Sequence, residues 1–486
     1  MEGGSFIRDH VLSWPNVAAM VLVYIVTISI YRLTLHPLAR IPGPKLAAIT
    51  RYYEVYYDVL RNGQYTFKIA EMHKKYGPII RISPHELHVI DPAFFEKLYR
   101  QDGRWDKYDW SYRAFSAPGS AICSGPHDIH KARRAALNPF FSKARVGTQQ
   151  EMMDRSIIIL RERLSEFAAT GGTVDLGAAT SACTRDIACE FLMDKAYENL
   201  RKEDFSVQIT NMLQQGGSVW RITKHVPWFG PLMRSISPSI MTKIADDGTT
   251  AFLSYVQESE QDTKNLLKDA ASSSNPSTSR TIVHEIYNSK LPTPEKQYKR
   301  VADEVFTITG AGFETTASAL RLIIYHIYAN PPILAKLREE LAPLAASSSA
   351  ADGLPAYPDL KLRSLEQSQY LTCIIMEGMR LSPALGSRMA RIAPDRDIFY
   401  GDDNVRIPAG TPVGMTTILM HTDKSIYPDP LSFVPERWMH LEKRRQLEKT
   451  YAPFSKGTRN CLGMQYAPFP SLFFLLFSHH SILFSG

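Results

Sequence analysis

The sequence predicts a mainly helical protein with a small β region, preceded by an N-terminal transmembrane helix. The chain has 486 residues, 44% of them hydrophobic and 22% charged, which is the composition of a globular protein with a large core. Most of residues 125–340 follow a helical pattern, whereas strand-like segments bounded by turn residues are confined to residues 76–90 and 397–413. The candidate site residues are spread from the first third of the chain to its end, which favours one large domain over several.

Charge and cysteine usage exclude several classes of function. The formal net charge is +7, which suits an anionic membrane surface or an acidic protein partner. The sequence contains no long basic stripe interleaved with aromatic residues, so it does not indicate nucleic-acid binding. The five cysteines show no Cys-x-x-Cys pairing, which argues against a disulfide framework or a structural zinc site. The 14 histidines show no metal-ligand spacing, and none is assigned to a metal.

An apolar segment near the N-terminus predicts a membrane anchor. Residues 11–31 contain no charged side chain, and as a helix they would span about 32 Å, enough to cross a bilayer. Trp14 and Tyr31 are placed to mark the two interfaces, and Pro15 lies near the helix start, where proline is tolerated. Basic residues follow the segment, so we expect a single-pass anchor with the rest of the chain in the cytosol. A cleaved signal peptide is the alternative, but the apolar run is long and no Ala-x-Ala site follows it.

The Ile41-Pro42-Gly43-Pro44 motif disfavours helix and predicts a stiff hinge between the anchor and the globular body. We therefore divide the chain into a leader (1–10), an anchor (11–31), a proline-rich hinge (32–50), a globular domain (51–467) and an atypical tail (468–486).

Several segments of the globular domain can be placed by their turn residues. Tyr76–Ile90 and Asp397–Val413 predict strands joined by proline- and glycine-containing turns. Residues 262–281 contain a Ser-rich loop with Asn275-Pro276, and residues 345–358 form a second loop rich in Ala, Ser and Pro. Both predict exposed connections. Trp220–Met233 is apolar with turn residues, and it predicts either a membrane-dipping loop beside a substrate entrance or a packed loop.

The pattern Phe454-x-x-Gly457-x-Arg459-x-Cys461-x-Gly463 carries the strongest chemical signal. A thiolate that ligates iron needs backbone N–H donors, and a helix starting just after Cys461 would favour the ionised sulfur. The two glycines permit close approach of the backbone to a flat cofactor, Phe454 can shield its ring system, and Arg459 can pair with a haem propionate. A buried structural cysteine would be the simpler interpretation of Cys-x-Gly alone, but five fixed positions together favour a thiolate ligand.

This pattern resembles the haem-binding signature of the cytochrome P-450 superfamily, in particular the microsomal type found in filamentous fungi. The resemblance extends from Tyr31 to about Tyr466. It implies a heme b cofactor with Cys461 as the axial ligand of the iron, and a monooxygenase that inserts one oxygen atom from O2 into an apolar small molecule. It also implies electrons from NADPH through a separate flavoprotein reductase, because the chain has no dinucleotide or flavin motif, and a location in the endoplasmic reticulum membrane.

Residues 311–316 read Ala-Gly-x-Glu-Thr-Thr and lie in a predicted helix, residues 298–328. Gly312 would leave room for a ligand or dioxygen, Thr315 can bend the helix or donate to bound oxygen, and Glu314 is a titratable neighbour for proton delivery. Taken alone, the pattern is a polar helix face with a tolerated glycine. The resemblance assigns Thr315 and Glu314 to oxygen activation.

Glu377 and Arg380 are three residues apart and share a helix face, so they can pair. Exposed pairs of this kind contribute only about 0–1 kcal/mol, and the spacing is common by chance. The resemblance implies a buried network with Arg437, from the Pro-Glu-Arg-Trp motif, as its third member. We assign this network to folding and haem retention.

The resemblance also assigns residues to the haem propionates. His130 stands where the family usually has tryptophan, four residues before Arg134, and it can still donate through a ring N–H. Arg134 falls at a propionate-binding position, and Arg391 resembles another such contact. The remaining basic side chains of this stretch form either a solvated face or a docking patch for an acidic reductase; they are Lys131, Arg133, Lys143 and Arg145.

The resemblance ends after Tyr466, where Pro468 and Pro470 interrupt the expected helix and the last residues carry no charge. We interpret this tail as a truncation or a gene-model error. By analogy, the fungal resemblance suggests secondary-metabolite biosynthesis, of a terpenoid or polyketide. Two alternatives remain: an inactive truncated haem protein, and a haem-thiolate isomerase or dehydratase. Glu314 and Thr315 argue against the isomerase or dehydratase, because such enzymes need no proton delivery to dioxygen.

Overall fold

The computed structural model describes residues 13–237, 240, 247–272, 281–346, 362–382, 385–402 and 404–465. The predicted leader and tail, residues 1–10 and 468–486, lie outside the described residues. The chain divides into two compact units. The first comprises Met1–Leu98, Gly103–Asp106 and Ser387–Thr416, and the second comprises Tyr99–Asp102, Lys107–Gly386 and Thr417–Gly486.

The first unit combines short helices with small sheets. Its elements are α1 (Trp14–Thr34), α2 (Lys45–Ile49), α3 (Tyr52–Val55), a π-helix (Tyr56–Leu60), α4 (Tyr65–Tyr76), β1 (Ile79–Ser83), β2 (Glu86–Val89), a 3-10 turn (Pro92–Phe94), α5 (Phe95–Leu98), β3 (Asp106–Lys107), β4 (Arg391–Ile392), β5 (Ile398–Tyr400), β6 (Val405–Ile407) and β7 (Val413–Gly414). One sheet has the strand order β1-β2-β7-β4-β3, and β5 pairs with β6 in the other. β1 and β2 are antiparallel, and β2 and β7 are parallel. The predicted strands on both sides of the helical region are therefore confirmed.

The apolar N-terminal segment forms α1, which is the one candidate membrane span in the described part of the chain. Its 21 residues have a mean hydropathy of 1.9 in their most apolar window, and none is buried in the protein. Pro15 lies in the first turn, where the missing N–H costs no helical hydrogen bond. The helix is therefore long and apolar enough to anchor the chain in a membrane.

The second unit is built from helices. They are α6 (Asp109–Tyr112), α7 (His127–Leu137), α8 (Lys143–Gly147), α9 (Gln150–Thr170), α10 (Leu176–Met193), α11 (Val207–Gln215), α12 (Gly217–His225), α13 (Phe229–Ser235), α14 (Asp247–Ser272), α15 (Ile282–Asn288), α16 (Tyr298–Ala329), α17 (Pro331–Ala346), α18 (Leu362–Glu366), α19 (Gln369–Leu381), α20 (Thr417–His421) and α21 (Leu441–Glu448). Short 3-10 turns lie at Arg113–Phe115, Asn199–Arg201, Thr293–Lys296, Pro435–Trp438, Gly457–Arg459 and Leu462–Gln465.

The core of this unit lies around α10 and α16. Almost every residue of α10 is buried, which is the pattern of a helix enclosed on all sides. α16 buries Leu320, Ile323, Ile324 and Ile327 on one face, with the spacing of a helix that packs along a stripe. The predicted helix over residues 298–328 is confirmed almost to the residue, because its apolar stripe continues to the end.

One predicted loop is helical instead, and two others lie largely outside the described residues. Residues 262–272 continue α14, because Thr263 and Ala270 are buried and Leu266 packs on the core. The predicted Ser-rich loop with Asn275-Pro276 falls on residues 273–280, which lie outside the described residues. Trp220–Met233 falls on α12 and α13, not on a loop; its turn residues end one helix and begin the next. Of the second predicted connection, residues 347–358 are outside the described residues, and α17 extends to Ala346.

Candidate functional site

The Cys461 segment is a tight loop shaped by backbone contacts. Ser455 and Gly457 both have positive φ, 60° and 78°. A Cβ at Gly457 would lie 2.5 Å from the carbonyl oxygen of Arg100, so this glycine is required by the approach of the neighbouring backbone. The N–H of Cys461 donates to the carbonyl of Phe454 at 2.9 Å, which closes the loop. The expected helix after Cys461 is present in the described residues as a 3-10 turn, Leu462–Gln465.

The thiol of Cys461 is accessible although it lies among many protein atoms. This crowding raises the pKa of the thiol. The N–H of Gly463 and the positive charges of Arg134 and Lys107 act in the opposite direction. An accessible sulfur with an N–H donor and two nearby cations suits a thiolate that binds a metal.

Cationic side chains gather around this loop. Arg134 donates to the carbonyls of Asn460 at 2.9 Å and Cys461 at 3.1 Å, and the same guanidinium contacts Asn138. The Arg459 guanidinium donates to two backbone carbonyls before α7. Both arginines therefore hold the backbone of the site, a role that the sequence interpretation did not give them.

The imidazole of His130 lies close to these cations, and its pKa is lowered. Burial lowers the pKa of its imidazole to about 2, and the charges of Arg459, Lys107 and Arg134 add to the effect. The ring is therefore neutral at physiological pH, with one N–H free to act as a donor. A group of three cations, two of them buried, beside a neutral buried imidazole suits a ligand with negative charges, such as the two propionates of haem. The residues present fit a thiolate-bound haem on both counts, sulfur and charge.

α16 places Thr315 and Glu314 one residue apart with different partners. The hydroxyl of Thr315 donates to the carbonyl of Ala311 at 2.7 Å. The carboxylate of Glu314 forms an ion pair with Arg321 and accepts from Ser181 on α10 at 3.3 Å. Glu314 thus lies on the side of α16 that packs against α10, and it already has a cationic partner.

Gly312 has a packing role that the sequence did not predict. A Cβ at this position would lie 3.2 Å from the Cβ of Ala188 on α10. This is tighter than ordinary van der Waals contact, so the glycine lets two helices approach closely. The expectation that Gly312 leaves room for a ligand stays a prediction beside this packing role.

The structure brings together the three members of the predicted buried network. Glu377, which is fully buried, accepts two hydrogen bonds from Arg380, at 2.8 and 2.9 Å, and one from Arg437, at 2.9 Å. Its second oxygen also accepts from the indole of Trp438 at 2.9 Å. Burial acts to raise the pKa of Glu377, but hydrogen bonding and the charge of Arg380 lower it overall, so the carboxylate is ionised.

Two further predicted groups have identified partners. In the first unit, Arg391 is buried and donates to the carbonyl of Met389 at 3.1 Å. Among the basic residues near α7, Arg133 forms a two-point ion pair with Glu295, at 2.7 and 2.8 Å, and is therefore not part of a solvated face. Lys143 pairs with Glu366 at 3.0 Å in an exposed contact.

Sequence reasoning missed His421, Asp303 and Glu304. His421 is fully buried on α20 and bonds to two backbone groups. Asp303 and Glu304 lie on the first turns of α16 and accept from backbone amides of the loop before α7. A lone histidine and two acidic residues at a helix start have no motif, so only their positions in space reveal them.

Comparison with known proteins agrees with this geometry. The family model for cytochrome P450 matches residues 53–476. The cytochrome P450 monooxygenase tpcC of Cochliobolus heterostrophus is 39% identical over 451 residues, 92% of this chain and 84% of that protein. The N-acetyltryptophan 6-hydroxylase ivoC of Emericella nidulans is 34% identical over 479 residues, 98% and 92% of the two chains.

A solved structure supports the fold. The crystal structure of a cytochrome P450, CYP102L1, superposes with a TM-score of 0.64 at 19% identity, and covers 85% of this chain and 86% of that one. The predicted mainly helical fold is confirmed. The chain belongs to the cytochrome P450 family and is a cytochrome P450 monooxygenase, which implies a haem-thiolate cofactor, the use of dioxygen, a small-molecule substrate and a redox partner.

Proposed function

We propose that this chain is a membrane-anchored monooxygenase of fungal secondary metabolism, with Cys461 as the axial ligand of heme b. The observation that carries the proposal is the accessible thiol of Cys461 beside the cations Arg134, Arg459 and Lys107 and the neutral ring of His130. When bound, the haem supplies the iron at which dioxygen is activated. The protein would hold the sulfur in place, balance the negative charges of the haem propionates and transfer protons.

The cationic cluster would hold the haem by its carboxylates. Arg134 and Arg459 already fix the backbone around Cys461, and they can share their remaining capacity with a propionate. His130 would donate a ring N–H, which replaces the indole N–H usual at this position in the family. Arg391, described with the first unit, is proposed as another propionate contact. The Gly463 N–H would donate to the sulfur and reduce its basicity.

Thr315 and Glu314, both on α16, would donate and transfer protons. The Thr315 hydroxyl is bonded to Ala311, and a rotation about χ1 would let it donate elsewhere. Glu314 is about a quarter exposed and paired with Arg321, so it would have to leave that partner to transfer a proton. This arrangement supports a proton relay that operates through side-chain movement.

The substrate is proposed to be an apolar small molecule. The relative named as a hydroxylase acts on N-acetyltryptophan, so an aromatic compound belongs beside terpenoids and polyketides in a substrate panel. The exposed apolar helix α1 supports anchoring in the endoplasmic reticulum membrane with the rest of the chain in the cytosol. NADPH would supply electrons through a separate flavoprotein reductase.

The test uses the full chain in microsomes with a reductase and NADPH. The reduced carbon monoxide complex should show the red-shifted Soret band of a thiolate-bound haem. A panel that includes N-acetyltryptophan, terpenoids and polyketides, incubated under ¹⁸O₂, should give one product containing a single ¹⁸O atom. A Soret band typical of a non-thiolate haem in the unmodified chain would overturn the ligand assignment.

A further inference from the structure

Side chains at the start of α16 bind a loop, and that loop in turn contacts the Cys461 segment. We call residues Ala117–Gly125 the 117–125 loop. The carboxylate of Asp303 accepts the N–H of Gly119 at 2.8 Å, and both oxygens of Glu304 accept the N–H of Ala121 at 3.1 Å. Glu304 is 1% exposed, so its bond to the loop is shielded from water. Two successive carboxylates of α16 therefore bind two amides of the loop.

Glu304 is one end of a chain of alternating charges. Arg300 lies 2.7 Å from Glu304 and donates to Glu295 at 2.8 Å. Glu295 in turn forms the two-point ion pair with Arg133 on α7. Arg133 and Arg300 lower the pKa of Glu295 to about 2, so this carboxylate stays ionised at physiological pH. The chain of charges links α16 to α7 across the loop.

Arg133, the last member of this series of charges, also binds the 117–125 loop. Arg133 donates to the hydroxyl of Ser124 at 2.9 Å, and that hydroxyl donates to the carbonyl of Ser120 at 2.9 Å. The carbonyls of Ser124 and Gly125 then accept the two hydrogen bonds from Arg459, each at 2.7 Å. Arg459 is two residues before Cys461, so the loop connects α16 to the segment of the thiol.

The contact between α16 and the loop leaves no spare space. A Cβ at Gly119 would lie 2.9 Å from a carboxylate oxygen of Asp303 and 3.2 Å from the Cα of Arg300. A larger residue requires the Asp303 carboxylate, and with it the hydrogen bond to the loop, or the loop itself to shift. The position of the loop is therefore determined both by charge and by close packing.

We propose that Glu304 is a positioning residue for the Cys461 segment: by fixing the 117–125 loop, it sets the two carbonyls that hold Arg459. The inference rests on the proposed function in that it takes Cys461 as the haem ligand. Buried charge chains contribute little net stability compared with apolar packing, so the role assigned to this one is to fix the geometry of the groups that it joins. Here the imposed geometry is that of the loop and the arginine next to the ligand.

The test is Glu304→Gln in the full-length holoenzyme. Glutamine has one acceptor oxygen, and its NH2 group would meet the guanidinium of Arg300, so the side chain must reorient. Amide hydrogen exchange in the 117–125 loop should accelerate about tenfold or more, because the buried N–H of Ala121 loses its acceptor. A larger share of the reduced carbon monoxide complex should show the band of a non-thiolate haem, and haem should dissociate faster.

A matched control and a second variant separate positioning from general destabilisation. Glu340 likewise binds backbone N–H groups with both carboxylate oxygens, those of Tyr370 and Leu371 at 2.7 and 2.9 Å, but does so at the start of α19. Glu340→Gln should lower stability without changing loop exchange or the spectrum. Gly119→Ala displaces the loop without removing a charge, and should reproduce the changes of Glu304→Gln.

Each outcome supports or overturns the positioning role of Glu304, or the proposed function on which it rests. Faster loop exchange together with spectral change in both variants supports the positioning role. Unchanged loop exchange in Glu304→Gln, or faster exchange with an unchanged spectrum and unchanged haem loss, overturns it. Equal spectral changes in Glu340→Gln would also overturn it, because any destabilisation would then suffice. A non-thiolate spectrum in the unmodified protein would instead refute the proposed function itself.

Discussion

The ring of His421 accepts a hydrogen bond from the backbone N–H of Ala452 at 3.0 Å through Nε2. Its Nδ1 lies 3.0 Å from the carbonyl of Arg380. Since Nε2 accepts, Nδ1 must carry the proton and donate to that carbonyl, which fixes the neutral tautomer. This imidazole thus connects the arginine of the buried Glu377 network to the residue just before the Cys461 loop.

The first prediction concerns the pH dependence of the free energy of unfolding that His421 causes. Burial lowers the pKa of His421 to about 4 from an ordinary value of 6.5. The unfolded chain therefore takes up a proton at a higher pH than the folded one. The contribution of the neutral His421 ring to the free energy of unfolding is fully present above pH 6.5. It is lost as the pH falls from 6.5 towards 4, and the free energy of unfolding then changes by up to about 1.4 kcal/mol per pH unit.

His421→Phe should remove this slope. Phenylalanine can keep the stacking of the ring against Tyr451, but leaves two buried backbone groups without partners, at a cost of about 1–3 kcal/mol at pH 7.5. Urea unfolding at several pH values would measure the effect. His440→Phe is the control, because His440 is exposed. An unchanged slope between pH 6.5 and 5 in His421→Phe would contradict the assignment.

The second prediction concerns the buried carboxylate of Glu377. Replacing it with glutamine leaves Arg380 and Arg437 without a counter-charge in a fully buried site. Removing one partner of such a network costs about 3–5 kcal/mol. We expect Glu377→Gln to lower the unfolding free energy by this amount and to reduce haem loading, as measured by the ratio of Soret to protein absorbance. Glu436→Gln, which affects an exposed pair with Lys336, should cost less than about 1 kcal/mol.

The third prediction concerns the ligand. Cys461→Ser should abolish the red-shifted Soret band of the reduced carbon monoxide complex, because a hydroxyl oxygen does not replace a thiolate sulfur. Cys183→Ser is a suitable control, since Cys183 is also a free cysteine but lies on α10, outside the Cys461 loop and the 117–125 loop. It should retain the band at full intensity. A thiolate spectrum in Cys461→Ser would show that another group binds the iron.

Patterns within one segment were predictable from the sequence. The anchor helix, the long helix α16 and the loop of Cys461 each depend on residues close together in the chain, where apolar spacing and glycine positions are visible. The contacts that define the site are not local. Gly312 meets Ala188 on another helix, and no periodicity shows which side of α16 that glycine faces.

Ion pairing was the least predictable feature. Arg133 looked like one basic residue in a charged stretch, yet it is tied to Glu295 far along the chain. The residue at which α14 ends was not predicted for a similar reason, because the polar stretch 262–272 gains its helical stability from tertiary packing of Leu266 and Ala270.

The last prediction concerns Thr315. Thr315→Ala should retain haem and substrate binding, but should divert electrons from product to hydrogen peroxide, because the hydroxyl proposed to donate a proton is gone. Thr309→Ala is a matched control, since Thr309 lies on the same helix and makes the same type of bond, to the carbonyl of Val305 at 2.8 Å, while buried in the core. It can alter stability but should leave the ratio of product to NADPH unchanged. Thr315→Ser should restore coupling, because it keeps the hydroxyl. If Thr315→Ala and Thr309→Ala gave the same ratio of product to NADPH as the unmodified enzyme, Thr315 would have only the helix-bending role that its bond to Ala311 shows.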